Sequence, residues 1–379
     1  MKRRAAALAI VVSAAATAGA EPAFLSRQYT RCTNCHYSAT GGGMLTPYGR
    51  SLSRQELSTF GASVAGAGRE QEFLFGALRD ATGPVKLGLE LRPSHLKLEG
   101  PGYDSTRDLL MNASFQAAFT RGGWTVFGEV GRQPRGDDPR VASFEHWVSY
   151  RSPRGLGVRA GRFLPAYGIR FADHTSFTRA PLGLDNEDQV YAVELSFAGD
   201  RHLVQVSAGP GLADSVGKSA ERAFTTSARW QYDFTPRVVL VGSGLYRAAS
   251  ETDLRGGATG LALGVSPLKR VTVWAEADAR FREGQGEAWS FLGDVSVEVY
   301  RGVWLRLSPQ MLTRPGDTTA GTVRLAAGLN VLPRTHWNVV LTYYRDRDRA
   351  SDRVSKTLLD CTCISSPRPP LARPRIAGC

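Results

Sequence analysis

The sequence predicts an all-β protein, a transmembrane β-barrel of about sixteen antiparallel strands. From Pro84 onward, apolar and polar residues alternate with a period of two, as in strands with one lipid-facing and one polar face. The connections between these strands alternate between short and long. After the first twenty residues, no run reaches the roughly eighteen apolar residues that a membrane helix needs.

The chain begins with a pattern typical of a secretory leader. The stretch "MKRRAAALAIVVSAAATAGA" places Lys2, Arg3 and Arg4 before an apolar run and ends on Ala18-Gly19-Ala20. Small residues in this spacing are accepted by signal peptidases. We therefore expect residues 1–20 to be a signal peptide and the protein to be exported to the outer membrane.

A Cys-x-x-Cys-His motif follows within "RCTNCHYSATGGGMLTPYGR", residues 31–50. Its spacing allows Cys32 and Cys35 to form thioether bonds to one haem, while the adjacent His36 binds the iron as axial ligand. A zinc site would need further ligands, and residues 37–84 contain no Cys or His. A simple disulfide is the remaining alternative. We assign residues 21–83 to a monohaem cytochrome c-like segment carrying one covalent haem c.

The second axial ligand is less determined. Met44 is the nearest sulfur and a candidate distal ligand, but its position in "MLTPYG" favours a buried apolar side chain. The other histidines are distant in sequence and could bind the iron only if the segment docks on the barrel. They are His95, His146, His174, His202 and His336. Docking is expected because a segment of about sixty residues, with a short helical pattern over Glu70–Leu78, is too small to cover a haem alone.

The barrel is assigned to residues 84–360. In "VKLGLELR", Val85, Leu87 and Leu89 alternate with Lys86 and Glu90, and "RVTVWAEADARF" and "WSFLGDVSVEVY" repeat the scheme. Further strands are predicted near 106–121, 123–133, 141–151, 155–164, 187–198, 201–209, 219–233, 236–248, 255–267, 302–312, 319–332, 335–347 and 352–360. The even number favours a bacterial outer-membrane barrel over a soluble β-sandwich.

The connections predict the orientation. The longer "LEGPGYDST" follows the first strand, and the tight "RGG" follows the second; later pairs repeat this rhythm. Long external loops and short periplasmic turns place the N-terminus on the periplasmic side or in the lumen.

One connection, "LPAYGIRFADHTSFTRAPLGLDN", is too long for a plain connector. If it folds inward, Arg170, Asp173, His174 and Arg179 line the path through the barrel. The alternative is a solvated surface loop.

The last residues, 361–379, are expected to form an irregular Pro-rich tail, either disordered or the product of an altered reading frame. The alternation ends at Asp360, and prolines that a central strand does not tolerate follow from Pro367. Three of the 5 cysteines lie here, at Cys361, Cys363 and Cys379, so the main body is not a disulfide scaffold.

Charge and composition exclude several function classes. The net charge of +12 is spread along the chain without a basic block, and nucleic acid is not an expected partner of an exported protein. No Ser-His-Asp arrangement indicates a hydrolytic site.

The leader, "PAFLSRQYTRCTNCH" with "TPYGR" after it, and the barrel-like region together resemble the fused cytochrome-porins of iron-oxidising bacteria. The motif similarity covers about Pro22 to Arg50, and the barrel similarity is architectural. The resemblance implies that Cys32, Cys35 and His36 hold the haem. It also implies electron transfer inward from extracellular ferrous iron.

These features predict an outer-membrane c-type cytochrome-porin that moves electrons between an extracellular donor, for which ferrous iron is the candidate, and periplasmic cytochromes. Iron oxidase activity is the enzymatic possibility. The alternative is a solute porin in which the haem is structural or sensory. Lipid of the outer membrane is a further expected partner.

We predict that the mature protein stains for haem after denaturing electrophoresis, because thioether bonds survive denaturation. Cys35→Ala should remove most of the stain, since one of the two attachments is lost. A colourless wild type, produced together with the haem-attachment machinery, would show that the motif does not carry haem.

Overall fold

A computed structural model describes residues 22–61, 83–133, 140–171, 173, 175–184, 188–211, 223–249, 255–334, 337–351 and 353–364. The leader, the helical pattern at Glu70–Leu78, and the histidines His174 and His336 lie outside these residues. So do residues 365–379, most of the Pro-rich tail.

In the described part of the chain, sixteen strands form one closed antiparallel barrel, so the predicted fold class is confirmed. Each strand pairs with its neighbours along the chain, and the last strand pairs with the first. The strands are β1 Val85–Gly100, β2 Tyr103–Arg121, β3 Trp124–Gln133, β4 Arg140–Arg151, β5 Leu156–Phe163, β6 Val190–Ala198, β7 His202–Gly211, β8 Ala223–Thr235, β9 Val238–Ala249, β10 Arg255–Leu268, β11 Val271–Arg282, β12 Gly286–Tyr300, β13 Val303–Arg314, β14 Asp317–Val331, β15 Trp337–Asp348 and β16 Val354–Ile364.

The burial of the strand residues is the reverse of that in a water-soluble sheet. On β11, Glu276 and Asp278 are buried inside the barrel, whereas Val273 and Phe281 are exposed on the outside. The same inversion holds on β1, where Lys86 is buried. An apolar exterior with a polar interior is the pattern of a barrel surrounded by lipid.

Exposed aromatic side chains lie near the strand ends. Trp124 opens β3 and packs on Tyr150, with ring centroids 5.0 Å apart, and Tyr300 ends β12. At the opposite ends of strands, Tyr103 opens β2 and Phe281 lies close to the end of β11. Aromatic girdles of this kind mark the two membrane–water interfaces of outer-membrane barrels.

In the described part of the chain the helices are short, and none is part of the barrel wall. They comprise 3₁₀ turns at Pro22–Arg27, Cys32–Asn34 and Ala180–Leu182, helix α1 at Pro47–Leu52, and a π turn at Ser53–Leu57. None of the helices in the described ranges is long and apolar enough to cross a membrane.

The two ends of the barrel differ in their connections. At one end, here called the turn end, the connections are residues 122–123, 152–155, 199–201, 236–237, 269–270, 301–302 and 332–336. At the other end, the loop end, residues 164–189 form the long connection that was predicted. The predicted alternation of loop lengths is only partly confirmed, because residues 101–102, 283–285 and 315–316 at the loop end are also tight turns. The predicted loop "LEGPGYDST" is mostly strand, since β1 and β2 stay paired as far as Gly100 and Tyr103.

The closing strand is longer than the sequence indicated. The alternation was expected to stop at Asp360, but β16 continues to Ile364. Cys361 pairs with Ser94 of β1 and with Val340 of β15, and Cys363 pairs with Asn338. The boundary at residue 360 is therefore corrected: small polar side chains interrupt the hydropathy pattern there, whereas backbone pairing, which closes the barrel, persists.

We predict that Leu263→Arg, on the lipid face of β10, lowers the free energy of unfolding by about 2–4 kcal/mol, because it puts a charge near the middle of the apolar band. Leu268→Arg is the matched control: it lies at the end of the same strand and should cost about 0–1 kcal/mol. Denaturant unfolding in lipid vesicles measures both. Equal costs at the two positions would contradict a lipid-facing exterior.

Candidate functional site

The N-terminal residues 22–61 lie inside the barrel and are called the plug here. Leu25 packs against Val239, Val241 and Trp274 of the wall, in one buried apolar cluster. Phe24 forms an edge-to-face contact with Trp304, with ring centroids 6.1 Å apart. Apolar side chains of the plug thus cover some of the apolar side chains that point inward from the strands.

Polar contacts hold the plug at the turn end. Arg27 forms an ion pair of 2.6 Å with the buried Glu298, and Thr30 donates a hydrogen bond of 3.1 Å to Asp233. Arg31 also forms an ion pair with Asp233, and its Nη1 donates a hydrogen bond of 2.7 Å to the carbonyl of Gly199 in a turn. These contacts connect the plug to three separate parts of the wall.

Residues 164–184, called the inward loop, form a second segment in the lumen. The Tyr167 hydroxyl donates to Asp278 at 2.9 Å, and the Ile169 amide donates to Glu276 at 3.2 Å. Ile169 and Phe171 share the apolar cluster of Leu25. The sequence left open whether this connection folds inward or lies on the surface as a solvated loop; the described residues fold inward.

Two of the predicted lining residues of this loop, Arg170 and Arg179, lie beside a cavity in the lumen and also make hydrogen bonds. Arg170 donates to the carbonyl of Gly41 in the plug, and Arg179 is buried and donates to the carbonyl of Leu184. Asp173 accepts hydrogen bonds from the amide and hydroxyl of Thr175. The fourth candidate, His174, lies outside the described residues. Of the three described candidates, Arg170 and Arg179 thus line a cavity of the lumen, whereas Asp173 does not.

The Cys-x-x-Cys-His motif forms a compact turn. Cys32–Asn34 is a single 3₁₀ turn, and the amides of Cys35 and His36 both donate to the carbonyl of Cys32, at 3.1 and 3.0 Å. Both thiols are free and partly buried, and His36 is buried. The turn places two sulfur atoms and one imidazole on the same short stretch of backbone.

Helix α1 supports that turn, which explains the "TPYGR" sequence. Thr46 caps the helix by accepting from the Gly49 amide, and its own amide donates to the carbonyl of Cys35 at 2.8 Å. Pro47 starts the helix, where its missing N–H is harmless. A Cβ on Gly49 would overlap the carbonyl oxygen of Cys35. Arg50 donates to the carbonyl of Leu87 in β1 at 3.0 Å.

The motif faces a cavity between the plug and the inward loop, part of which is open to solvent. The motif, the inward loop and the barrel wall each contribute to its lining. The lining includes Phe24, Tyr29, Arg31, Cys32, Cys35, His36, Leu45, Leu164, Tyr167, Ile169, Arg170, Arg179, Leu203, Gln205, Arg229 and Trp274.

The electrostatics of the cavity suit a neutral imidazole and an anionic ligand group. Burial and the nearby Arg170 lower the pKa of His36 to about 4, so the ring is neutral at pH 7 and able to bind a metal. Burial raises the pKa of Cys35 to about 11, so its thiol is protonated. Arg31, Arg170 and Arg229 line the cavity and supply positive charge.

These residues fit a covalently bound haem. Cys32 and Cys35 provide the two attachment points, and His36, whose Nδ1 is buried without a hydrogen-bond partner, provides an imidazole beside the cavity. Apolar side chains such as Leu164 and Trp274 suit a macrocycle, and the arginines suit its carboxylates.

The structure does not place the proposed distal ligand at the cavity. Met44 is packed with Ala118, Phe127, Trp147 and Phe163, which is the alternative of a buried apolar side chain. The described histidines of the barrel also lie elsewhere: His95 binds Asp108, His146 binds Tyr191, and His202 accepts from Trp230.

Sequence analysis missed the contributions of the wall. Arg229 of β8 donates a hydrogen bond of 2.9 Å from Nε to the carbonyl of Gly168 and one of 2.8 Å from Nη2 to the side chain of Gln231. It therefore connects the wall to the inward loop beside the cavity. Trp274 donates to the carbonyl of Pro22 at 3.1 Å. Arg229 and Trp274 occupy inward-facing positions of their strands, where most neighbouring luminal residues are small or acidic. Their large side chains are the sequence signal that could have identified them.

Comparison with known proteins gives a fold but no family. No family model matches the chain, and no curated protein matches it. The outer membrane channel DcaP of Acinetobacter baumannii superposes with a TM-score of 0.57 at 11% identity, over 76% of this chain and 99% of that one. An anion-selective porin from Comamonas acidovorans gives 0.56 at 12% identity, over 74% and 99%. OprB of Pseudomonas putida gives 0.57 at 9%, over 75% and 94%. At these identities the likeness shows an outer-membrane porin fold, in agreement with the predicted type of barrel.

We predict that Gly49→Ala reduces haem attachment several-fold, because the added methyl group must displace the Cys35 backbone. Ser51→Ala, on the same helix, is the control and should leave attachment unchanged. Haem stain normalised to barrel protein on immunoblots measures both. Equal staining of the two variants would show that α1 does not support the motif.

Proposed function

We propose that this protein is an outer-membrane c-type cytochrome-porin that moves electrons between an extracellular donor and periplasmic carriers. The observation that carries the proposal is the position of Cys32, Cys35 and His36 beside a cavity inside a closed barrel. Bound there, a haem supplies a one-electron redox centre. The chain's own residues attach it, keep His36 neutral and surround it with positive charge.

The plug and the inward loop occupy part of the lumen, which favours electron transfer over free diffusion of solutes through the barrel. Luminal polar residues such as Gln205, Glu194 and Glu298 are only 1%, 2% and 1% exposed. In a porin with an aqueous channel such side chains line water. Here Arg27 of the plug covers Glu298, Arg159 of the neighbouring strand covers Glu194, and Gln205 lies beside the cavity. A redox centre can pass electrons where the lumen is packed, whereas a solute needs an open path.

The arrangement also supports an orientation. The plug is anchored to connections at the turn end, and short turns are periplasmic in outer-membrane barrels. Asn34, between the two cysteines, is exposed there. The inward loop lies on the other side of the cavity, toward the loop end. A periplasmic cytochrome would meet the motif directly, and an extracellular donor, such as the ferrous iron implied by the sequence resemblance, would act through the inward loop.

A solute porin with a structural or sensory haem is the second candidate. The solved structures with the same fold are described as a channel and as an anion-selective porin, and these descriptions favour the porin over electron transfer. The basic cavity is compatible with an anionic solute.

We predict that proteoliposomes separate the two functions. With a soluble cytochrome trapped inside and a reductant tethered to external particles, wild-type protein should reduce the trapped cytochrome, and Cys35→Ala protein should not. In parallel, neither protein should cause liposome swelling in small sugars or organic anions. Swelling without reduction of the trapped cytochrome would favour the porin and reject electron transfer.

A further inference from the structure

Every connection that the structure describes at the turn end carries, or directly adjoins, an arginine or lysine. These side chains are defined here as the basic rim. They are Arg121, Arg151, Arg154, Arg201, Arg237, Lys269, Arg270, Arg301 and Arg334. Within these described connections, Asp200 is the only acidic residue. The rim therefore surrounds the mouth of the barrel with charge of one sign.

The basic rim is directed to solvent. Arg154, Arg201, Lys269 and Arg270 are exposed, and no ion pair involves them among the described residues. The acidic groups nearby are already neutralised by the plug, because Arg27 pairs with Glu298 and Arg31 pairs with Asp233. Exposed Glu56 is the acidic residue of the plug at this face.

The opposite end does not share this pattern. Among the described residues at the loop end, acidic side chains such as Glu99, Asp104 and Glu283 alternate with cations such as Lys97 and Arg282. Lys97 pairs with Glu99 at 2.6 Å, and Arg314 pairs with Asp348 at 2.8 Å. The basic rim is thus a property of one end and does not follow from the net charge of the chain.

Aromatic side chains lie within the rim. Tyr48 and Phe60 of the plug are each 56% exposed. The Phe60 amide donates to the carbonyl of Pro333, which holds this residue at the turn end, and the Tyr48 hydroxyl lies 3.5 Å from that of Tyr29, which lines the cavity. Lipid surrounds the outside of a barrel and does not reach side chains enclosed by its rim. Exposed aromatics within a charged ring are typical of a protein interface.

We propose that the turn end is the docking surface for an acidic, soluble periplasmic redox protein, with the basic rim steering it onto the plug beside Cys32. This inference rests on the proposed electron-transfer function. Complementary charge raises association rates by about 10- to 1,000-fold, and the effect falls with ionic strength. The aromatic residues within the rim then give the short-range contact.

The test uses one carrier in two charge states. Wild-type protein in nanodiscs, with its haem reduced and the reductant removed, is mixed with an oxidised soluble basic cytochrome or with the same cytochrome after succinylation of its lysines. Equilibrium binding and haem oxidation are followed separately. The rim variant combines Arg154→Glu, Arg201→Glu, Lys269→Glu and Arg270→Glu. The control carries the same charge change at the loop end, with Arg255→Glu, Arg282→Glu, Arg345→Glu and Arg353→Glu.

We predict that at low salt the succinylated cytochrome binds at least about tenfold more tightly than the basic form and oxidises the haem at least about tenfold faster. High salt should remove both differences. The rim variant should reverse the preference, and the loop-end control should retain it. A wild type without charge preference, or a preference that the rim variant keeps, would overturn the docking inference. A rim variant whose only defect is a failure to assemble in anionic phospholipid vesicles would show that the rim binds lipid headgroups. The docking inference would then also be wrong. Charge-dependent binding without haem oxidation would retain the docking surface and reject the electron-transfer function.

Discussion

The structure depends on one geometric constraint: a barrel of sixteen strands is too wide for its own inward side chains to fill. Small barrels close over their side chains, whereas barrels of this width leave a channel unless other segments enter it. In this protein the plug enters from the turn end and the inward loop from the loop end. Both segments contain more apolar residues than a surface loop, and Leu25, Ile169 and Phe171 meet in one cluster inside a largely polar lumen. The cavity beside Cys32 is the space that these two segments leave between them.

Filling the lumen makes its charged residues structural. Arg159 and Glu194 form an ion pair of 2.7 Å in which both side chains are nearly inaccessible, and Arg159 also lies over the ring of Phe163. Removing one partner of a buried pair typically costs about 3–5 kcal/mol, because the other charge remains without compensation. The pair of Arg27 and Glu298 applies the same rule between plug and wall. Charges that would select ions in an open pore here fix the position of the plug and hence of the motif.

Sequence patterns predicted what depends on local periodicity or spacing. The period-two alternation predicted all sixteen strands to within a few residues at most of their ends. The length and composition of the connection after β5 marked it as more than a plain connector, but they left open whether it folds inward. The predicted end of the closing strand came too early, because the hydropathy pattern depends on side chains, whereas β16 is held by backbone pairing. The role of Gly49 and the cavity wall formed by Arg229 and Trp274 could not be predicted, because they arise from contacts between residues far apart in the chain.

The plug, which enters the lumen from the turn end, contacts the inward loop, which enters from the loop end. Arg170 of the inward loop donates to the carbonyl of Gly41, and its guanidinium occupies the space where a side chain on Gly42 would lie. Gly42 has a φ of +74°, a conformation that glycine adopts without strain. The "TGGG" stretch thus follows from a packing requirement: a backbone without side chains lets an arginine from the loop end reach the segment that holds His36. Burial and, after it, the charge of Arg170 lower the pKa of His36, so the inward loop affects the candidate haem site by direct contact.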